Sequence, residues 1–442
     1  MALSSDIGDH EVAGGRQLGP VRWVLLLLVG IHIAACCVSL YCVALIYPEY
    51  HIFYRPEGLY PVLSIVAAFA LVGLVFVFAD FSFGYLVGFY LYTMVLGYLW
   101  LNVFSEFVYD HQLTGLSAAT SAAAFLLPAL FIRAPLRRVW TLSPKAFDRL
   151  LNLLLLFAVA ALAAGARYNF RLVSIGDIYE YRDNLTAPTI VNYLVGMTST
   201  ALLPFAFACF VEQKKYWRAG AVLFLLLCFY PITLSKLALF APAFLLALAL
   251  FARMVELRMT VILSLLAPMA VGLVVFFLFR HHVLPYGATI PYFGLVNFRM
   301  IAIPSLAMDY YNEFFFRHDL TYFCQISFLK PLIACPYREP LSIVIYNAFG
   351  IGGNFNASLF ATEGVASVGP TFAPVTAFAC GLVIALANRI SAGLAPRFIL
   401  VSGALFPQTL MNIPFTTVLL SYGAVLLFLL WYVMPRPSSD GG

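Results

Sequence analysis

Residues 21–47 read VRWVLLLLVGIHIAACCVSLYCVALIY, a run in which Arg22 is the only charged side chain. An α-helix rises 1.5 Å per residue, so about 20 apolar residues cross the roughly 30 Å hydrocarbon layer of a bilayer. This run is long enough to do so. Similar runs follow at about 59–79, 83–104, 115–132, 149–166, 190–211, 217–232, 236–252, 259–279, 365–388, 398–412 and 414–434. The pattern predicts an all-α protein, a polytopic transmembrane helical bundle of about 12 spans. In lipid, helices satisfy their own backbone polar groups within one segment.

Composition agrees. Of 442 residues, 63% are apolar and 10% charged, with a mean hydropathy of +0.94, against roughly 25% charged in a soluble domain. That excludes a soluble globule. It also excludes an outer-membrane barrel, whose strands alternate apolar and polar residues. The net charge of +5 is spread over short loops, which argues against a nucleic-acid partner. Cysteines 36, 37, 42, 209, 228 and 380 lie in apolar runs and read as small core residues. Cys324 and Cys335 lie in a polar stretch, where a disulfide between them is one option. The polar head before residue 21 leads into a run too long for the apolar part of a cleavable signal, so the first helix is expected to stay in the membrane.

Lysine and arginine are enriched in cytoplasmic loops. With the N-terminus inside, fifteen of the 25 fall on the cytoplasmic side and ten on the other. This predicts a cytoplasmic segment 1–20, one transmembrane domain over 21–434 and a cytoplasmic tail 435–442, with both termini inside. Eight of the ten outer cations lie in two loops, 167–189 and 280–364. The second is expected to be a long extracytoplasmic loop containing short helices, and loops of that length are normally functional. No internal repeat is visible, which counts against an inverted-repeat transporter.

Four strings could carry chemistry. In the first outer loop, Tyr179, Tyr181 and Arg182 stand among three cations and three carboxylates within the 17 residues 167–183. The Arg182 guanidinium would fork two phosphate oxygens, or pair with Glu180 or Asp183 at the surface. Lys236 follows Pro231, Thr233 and Ser235, a pattern of an irregular turn lining a cavity, although a lysine at a span end can also snorkel. In the long loop, Arg299 lies on an apolar helical face with Ala302 and Ile303, so it needs an anionic partner. Tyr310, Tyr311 and His318 follow, the last either a proton carrier or a simple loop histidine. Finally, Gly353, Asn354, Asn356, Glu363 and Gly364 form a glycine-rich turn, with amides for hydroxyls and a carboxylate just ahead of a span.

Taken in order, Tyr179–Arg182, Thr233–Lys236, Phe298–Pro304, His318–Phe323 and Gly353–Gly364 resemble the oligosaccharide repeat unit polymerases, the Wzy-type O-antigen polymerase group, over about 167–390. The resemblance implies an integral glycosyltransferase of the bacterial inner membrane, similar to the GT-C group, acting at its outer face. Donor and acceptor would be undecaprenyl-diphosphate-linked oligosaccharides, and a chain-length regulator protein would be a further partner. By the same resemblance Arg182, Lys236 and Arg299 face the diphosphate, and Asn354, Asn356 and Glu363 lie near the reacting sugars. Ser358 departs from the family, where glycine is usual.

The residues themselves fit such a reaction. Cations can stabilise charge on a departing diphosphate without a metal, and no carboxylate pair suited to Mg²⁺ is evident. The expectation is a metal-independent, inverting transfer with no cofactor. Glu363 would be the base and His318 the alternative. Tyr179, Tyr181, Tyr310 and Tyr311 could stack on sugar faces or anchor the membrane interface. An O-antigen ligase and a lipid-linked oligosaccharide flippase are the rival readings.

Overall fold

In the computed structural model, which describes residues 19–174, 181, 186–326, 329–350 and 355–435, every regular element is helical. Among the described residues, eleven helices are long and apolar enough to cross a membrane. Nine match the first nine expected spans: α1 (Pro20–Ile46), α2 (Pro56–Phe78), α3 (Phe83–Phe104), α4 (His111–Phe131), α5 (Pro144–Tyr168), α6 (Thr189–Glu212), α7 (Tyr216–Thr233), α8 (Lys236–Met254) and α9 (Leu257–Arg280). Several start earlier than hydropathy places them because polar caps extend them. Asp110 accepts a hydrogen bond from the Leu113 amide at 2.9 Å, and Ser143 accepts one from Ala146 at 3.3 Å.

Ion pairs at the helix ends show which ends lie together. Arg133 meets Asp80 at 3.0 Å at the end where α1 begins, here the lower end, and Arg55 pairs with Glu106 at the upper end.

The tenth helix, α10 (Thr289–Arg317), lies within the expected loop 280–364 and is longer and more deeply buried than the short helices expected there. Its contacts also separate it from the nine. Tyr286, just before it, meets Phe279 at the upper end of α9, Phe298 stacks on Tyr47 at 4.2 Å, and Tyr310 packs on Phe107 at 5.0 Å. Both ends of α10 are therefore at the upper end, and the helix runs across the bundle. Its middle is sunk: Asn297 donates to Ser39 at 2.8 Å and to the Met269 carbonyl at 3.1 Å. Met269 lies about 16 Å below the top of α9 at 1.5 Å per residue. The stretch reads as a loop because Arg299, Asp309, Glu313 and Arg317 dilute its hydropathy; in the fold Arg317 pairs with Glu313 at 3.1 Å and Asp309 is hydrogen-bonded.

After α11 (Leu341–Phe349) the chain enters α12 (Phe360–Ser391), which is two helices joined at a kink. At Gly369 (φ +76°) the backbone leaves helical geometry and the first part folds back on the second, so that a Cβ on Gly364 would stand 3.1 Å from that of Ala373. The part after Gly369 runs down to the lower end, where Arg389 donates to the Ala134 carbonyl at 3.0 Å. Cys324 and Cys335 are joined by a disulfide in the segment between α10 and α11.

The expected spans 398–412 and 414–434 are a broken hairpin instead of two crossings. It comprises α13 (Pro396–Ser402), α14 (Leu405–Asn412), α15 (Phe415–Leu420) and α16 (Ala424–Val433). It starts at the lower end and returns there, where the Leu142 amide donates to the Val433 carbonyl at 2.9 Å. Its tip is inside the bundle. Gly423, at φ +79° where a side chain would be strained, faces Met197, which lies about 12 Å into α6.

The core is organised on α3, which is buried along almost its whole length. Gly84 lets α4 approach so closely that a Cβ there would stand 1.9 Å from the Ala129 carbonyl oxygen. Asn388 of α12 clamps the junction, accepting from the Gly84 amide at 2.8 Å and donating to the Ala129 carbonyl at 2.7 Å. Asn388→Leu leaves a buried donor without its partner, at a cost of about 1–3 kcal/mol, and should lower the melting temperature of the purified protein. Melting unchanged from wild type would show that the clamp contributes nothing.

Candidate functional site

The turn between α7 and α8 is built as its prolines and hydroxyls predict. Leu234 adopts left-handed backbone at φ 44°, a conformation costing about 1–2 kcal/mol for an L-residue. Its fully buried side chain fixes it there. The Ser235 amide donates to the Thr233 hydroxyl at 3.3 Å, and Lys236 opens α8 half-buried. The root of the first outer loop is tied to this turn. The Arg171 amide donates to the Pro231 carbonyl at 2.9 Å, and the Tyr230 hydroxyl to the Val173 carbonyl at 2.5 Å. Tyr181 lies beneath the Arg171 guanidinium, 5.6 Å from its ring centroid. Tyr179, Arg182 and Asn354 lie outside the described residues.

Beside this turn is a cavity of about 510 Å³. Thr233, Ser235, Asn192 and Tyr193 give it polar groups, while Val195, Leu237 and Ala241 give it apolar wall. Thr417 and Ser421, from the hairpin tip, close the far side. Neither Arg299 nor Lys236 is among its lining residues.

Glu363 meets the hairpin tip at its other face. It is buried, and its Oε1 accepts from both the amide and the hydroxyl of Thr416, each at 2.9 Å. The Thr362 hydroxyl lies 2.6 Å from Oε2 and 2.8 Å from the Ser358 carbonyl, with one proton for the two. The expectation put Glu363 at a membrane boundary just ahead of a span; it does precede the crossing part of α12, which starts after the Gly369 kink, but it is buried against the hairpin tip.

Arg299 and Glu363 share a backbone peculiarity. Each lies in a wide π-helical stretch, Gly294–Ala302 and Phe360–Ala366, and a third such stretch is Thr198–Leu202 in α6. Proline rings clash with the carbonyl four residues earlier, and Pro304 and Pro204 place that clash at 300 and 200, inside Gly294–Ala302 and Thr198–Leu202, whereas Phe360–Ala366 is followed by the Gly369 kink. Such widenings are frequent at functional sites.

His318 follows α10 and is exposed. Its Nδ1 lies 2.7 Å from the Phe314 carbonyl oxygen and its ring stacks on Phe314 at 4.0 Å. A carbonyl only accepts, so Nδ1 carries the proton and Nε2 of the neutral ring keeps a lone pair. Asn356 is exposed. Tyr310 and Tyr311 are buried, with Phe107, Phe349 and Phe355 against the Tyr310 ring.

One cluster was missed in the sequence. Asp309 is buried and accepts from the Ser105 hydroxyl at 2.9 Å and from the Tyr109 hydroxyl. Burial, and then the Asp309 carboxylate beside it, hold the Tyr109 phenol well above the ordinary tyrosine range, so it stays a donor. His111 completes the group, Nδ1 2.8 Å from Asn102 Oδ1 and Nε2 2.9 Å from the Phe107 carbonyl, an arrangement that a doubly protonated ring satisfies in full. A Tyr–Asp–His signal was present, but these residues are up to 200 positions apart.

No family model matches the chain, and neither the curated proteins nor the solved structures contain a match.

If Ser235 and Ser421 line one cavity, Ser421→Cys should react with a small hydrophilic thiol reagent, and adding Ser235→Trp should slow that labelling. Equal labelling rates with and without the tryptophan would separate the two positions.

Proposed function

We propose that this is an integral-membrane glycosyltransferase that joins lipid-diphosphate-linked oligosaccharides into a polymer, as the resemblance to the Wzy-type polymerases implies. The observation that supports it most is the cavity of about 510 Å³ within the helix bundle. It offers hydroxyls and amides beside apolar wall, with the Lys236 turn on one side and the tip held by Glu363 on the other. Such a lining suits a polar sugar carried on a hydrocarbon tail.

In the proposed step a hydroxyl oxygen of the acceptor attacks the anomeric carbon of the donor. The bond from that carbon to the diphosphate oxygen breaks, the lipid diphosphate leaves, and the hydroxyl proton passes to a base. A single displacement inverts the configuration. Lys236, Arg299 and Arg182 stabilise the departing charge. Of the two bases, His318 fits better, because its Nε2 is free to accept while Oε1 of Glu363 already has two donors from Thr416 and its Oε2 competes with the Ser358 carbonyl for the Thr362 proton. Glu363 is then a positioning residue for the hairpin tip. Asn356, and Asn354 near it in sequence, would bind sugar hydroxyls.

The lower end carries more lysine and arginine than the upper, which favours a cytoplasmic lower end with both termini inside and the site facing the periplasm of a bacterial inner membrane. A chain-length regulator would be a partner.

Purified protein in liposomes, given undecaprenyl-diphosphate-linked repeat units, should lengthen them, and should still do so in EDTA. Arg299→Ala should slow growth roughly 10²- to 10³-fold, and Arg299→Lys should recover little because a point charge cannot reproduce the guanidinium fork. Wild-type rates in Arg299→Ala would remove that residue from the site, and loss in EDTA reversed by Mg²⁺ would refute metal independence. For the base, His318→Gln should lower the rate roughly 10²- to 10⁴-fold and flatten its dependence on pH near neutrality; an unchanged pH profile would return the role to Glu363.

A further inference from the structure

At the lower end, away from the cavity beside the α7–α8 turn, a second cavity of about 450 Å³ opens between the α6–α7 turn, the end of α8 and the start of α13. Three cations from these three places line it, Lys214, Arg253 and Arg397. Glu212 is the one carboxylate in its lining, and among the described residues none of the three cations forms an ion pair. Lys214 is held in left-handed backbone at φ 56°, with the next amide, that of Lys215, bonded to the Phe210 carbonyl at 2.8 Å. The Arg253 guanidinium lies over the Tyr216 ring at 5.7 Å, which orients its fork.

Behind the cations the wall is apolar, with Ala208, Ala249, Ala252 and Phe398 leaving a slot between helices. At the mouth, Tyr216 is 56% and neighbouring Trp217 85% exposed. Exposed Trp and Tyr at helix ends mark the level of lipid headgroups.

The geometry points to a binding site for the phosphate headgroup of an anionic phospholipid, with Lys214, Arg253 and Arg397 around the phosphate and an acyl chain along the alanine slot. Convergent cations of this kind between membrane helices bind anionic headgroups, and the slot is what a free phosphate would leave unused. The site is independent of the sugar chemistry proposed above, and its test reads lipid binding instead of transfer.

The full-length protein in a neutral detergent is incubated with phosphatidylglycerol or with phosphatidylcholine of the same chains, and retained lipid is counted by native mass spectrometry. Phosphatidylglycerol should be retained in preference, inorganic phosphate should not displace it, and Arg253→Gln with Arg397→Gln should weaken retention roughly thirtyfold. Arg218→Gln, at the same end but outside the cavity lining, should leave it unchanged and controls for net charge. Equal retention of the two lipids, an equal loss in Arg218→Gln, or full retention in the double variant would overturn the assignment. Displacement by inorganic phosphate would overturn the lipid and leave a free-phosphate site.

Discussion

The amide of Thr416 has no helical partner, because Ile413 and Pro414 break the chain just before α15 begins. Inside a bilayer an unpaired amide costs several kcal/mol, so irregular backbone at that depth persists only where protein satisfies it. Glu363 does this, presenting one carboxylate oxygen to both the amide and the hydroxyl of Thr416. Without it the hairpin could not stop short and turn back among α6 and α12. The same pairing gives the buried side chain of Glu363 the hydrogen-bond partners that it would otherwise find in water. Each group is the reason the other can be buried.

Two of the π-helical stretches, Gly294–Ala302 and Thr198–Leu202, follow the same logic. A proline in a membrane helix displaces the carbonyl four residues back, and neighbouring groups must take up the freed backbone. Ser305, immediately after Pro304, places its hydroxyl between two carbonyls, 2.8 Å from that of Met94 on α3 and 2.9 Å from that of Ile301 one turn back. In the third stretch, before the Gly369 kink, the Ser367 hydroxyl lies 2.8 Å from the Thr362 carbonyl. Widened helices turn their side chains away from regular register, and Arg299 and Glu363, the polar groups least at home in lipid, occupy two of these places.

Nine crossings were legible because their hydropathy is uninterrupted and their neighbours' identity does not matter. That the 280–364 loop contains helix was legible; that α10 is long and sunk into the bundle was not. Asp309 reads as a solvated loop residue until Tyr109 and Ser105, 200 and 204 positions away, are brought against it. The hairpin failed for the opposite reason: residues 398–434 are apolar enough to cross twice, and only the contact of Gly423 with Met197 shows that the turn is buried. Within the site, Pro231, Thr233 and Ser235 announced the Lys236 turn in the sequence itself, since a proline and hydroxyls act on their own backbone. The role of Glu363 depends on Thr416, 53 positions on, and no local pattern encodes it.

Counting full passages through the bundle shows what the two corrections do together. Nine crossings carry the chain from the lower end to the upper, and α10 leaves it there. Then α12 returns it, and the hairpin begins and ends below. The chain is therefore back where it started: Arg22 lies over the Phe78 ring at 5.8 Å and Arg138 donates to the Met434 carbonyl at 3.1 Å, both at the lower end. An even number of crossings was expected from twelve spans and is kept by ten, because the loop that became a helix and the spans that became a hairpin each leave the parity of the chain unchanged. Sidedness argued from loop charges thus survives errors in the span count, provided each error begins and ends on one face of the membrane.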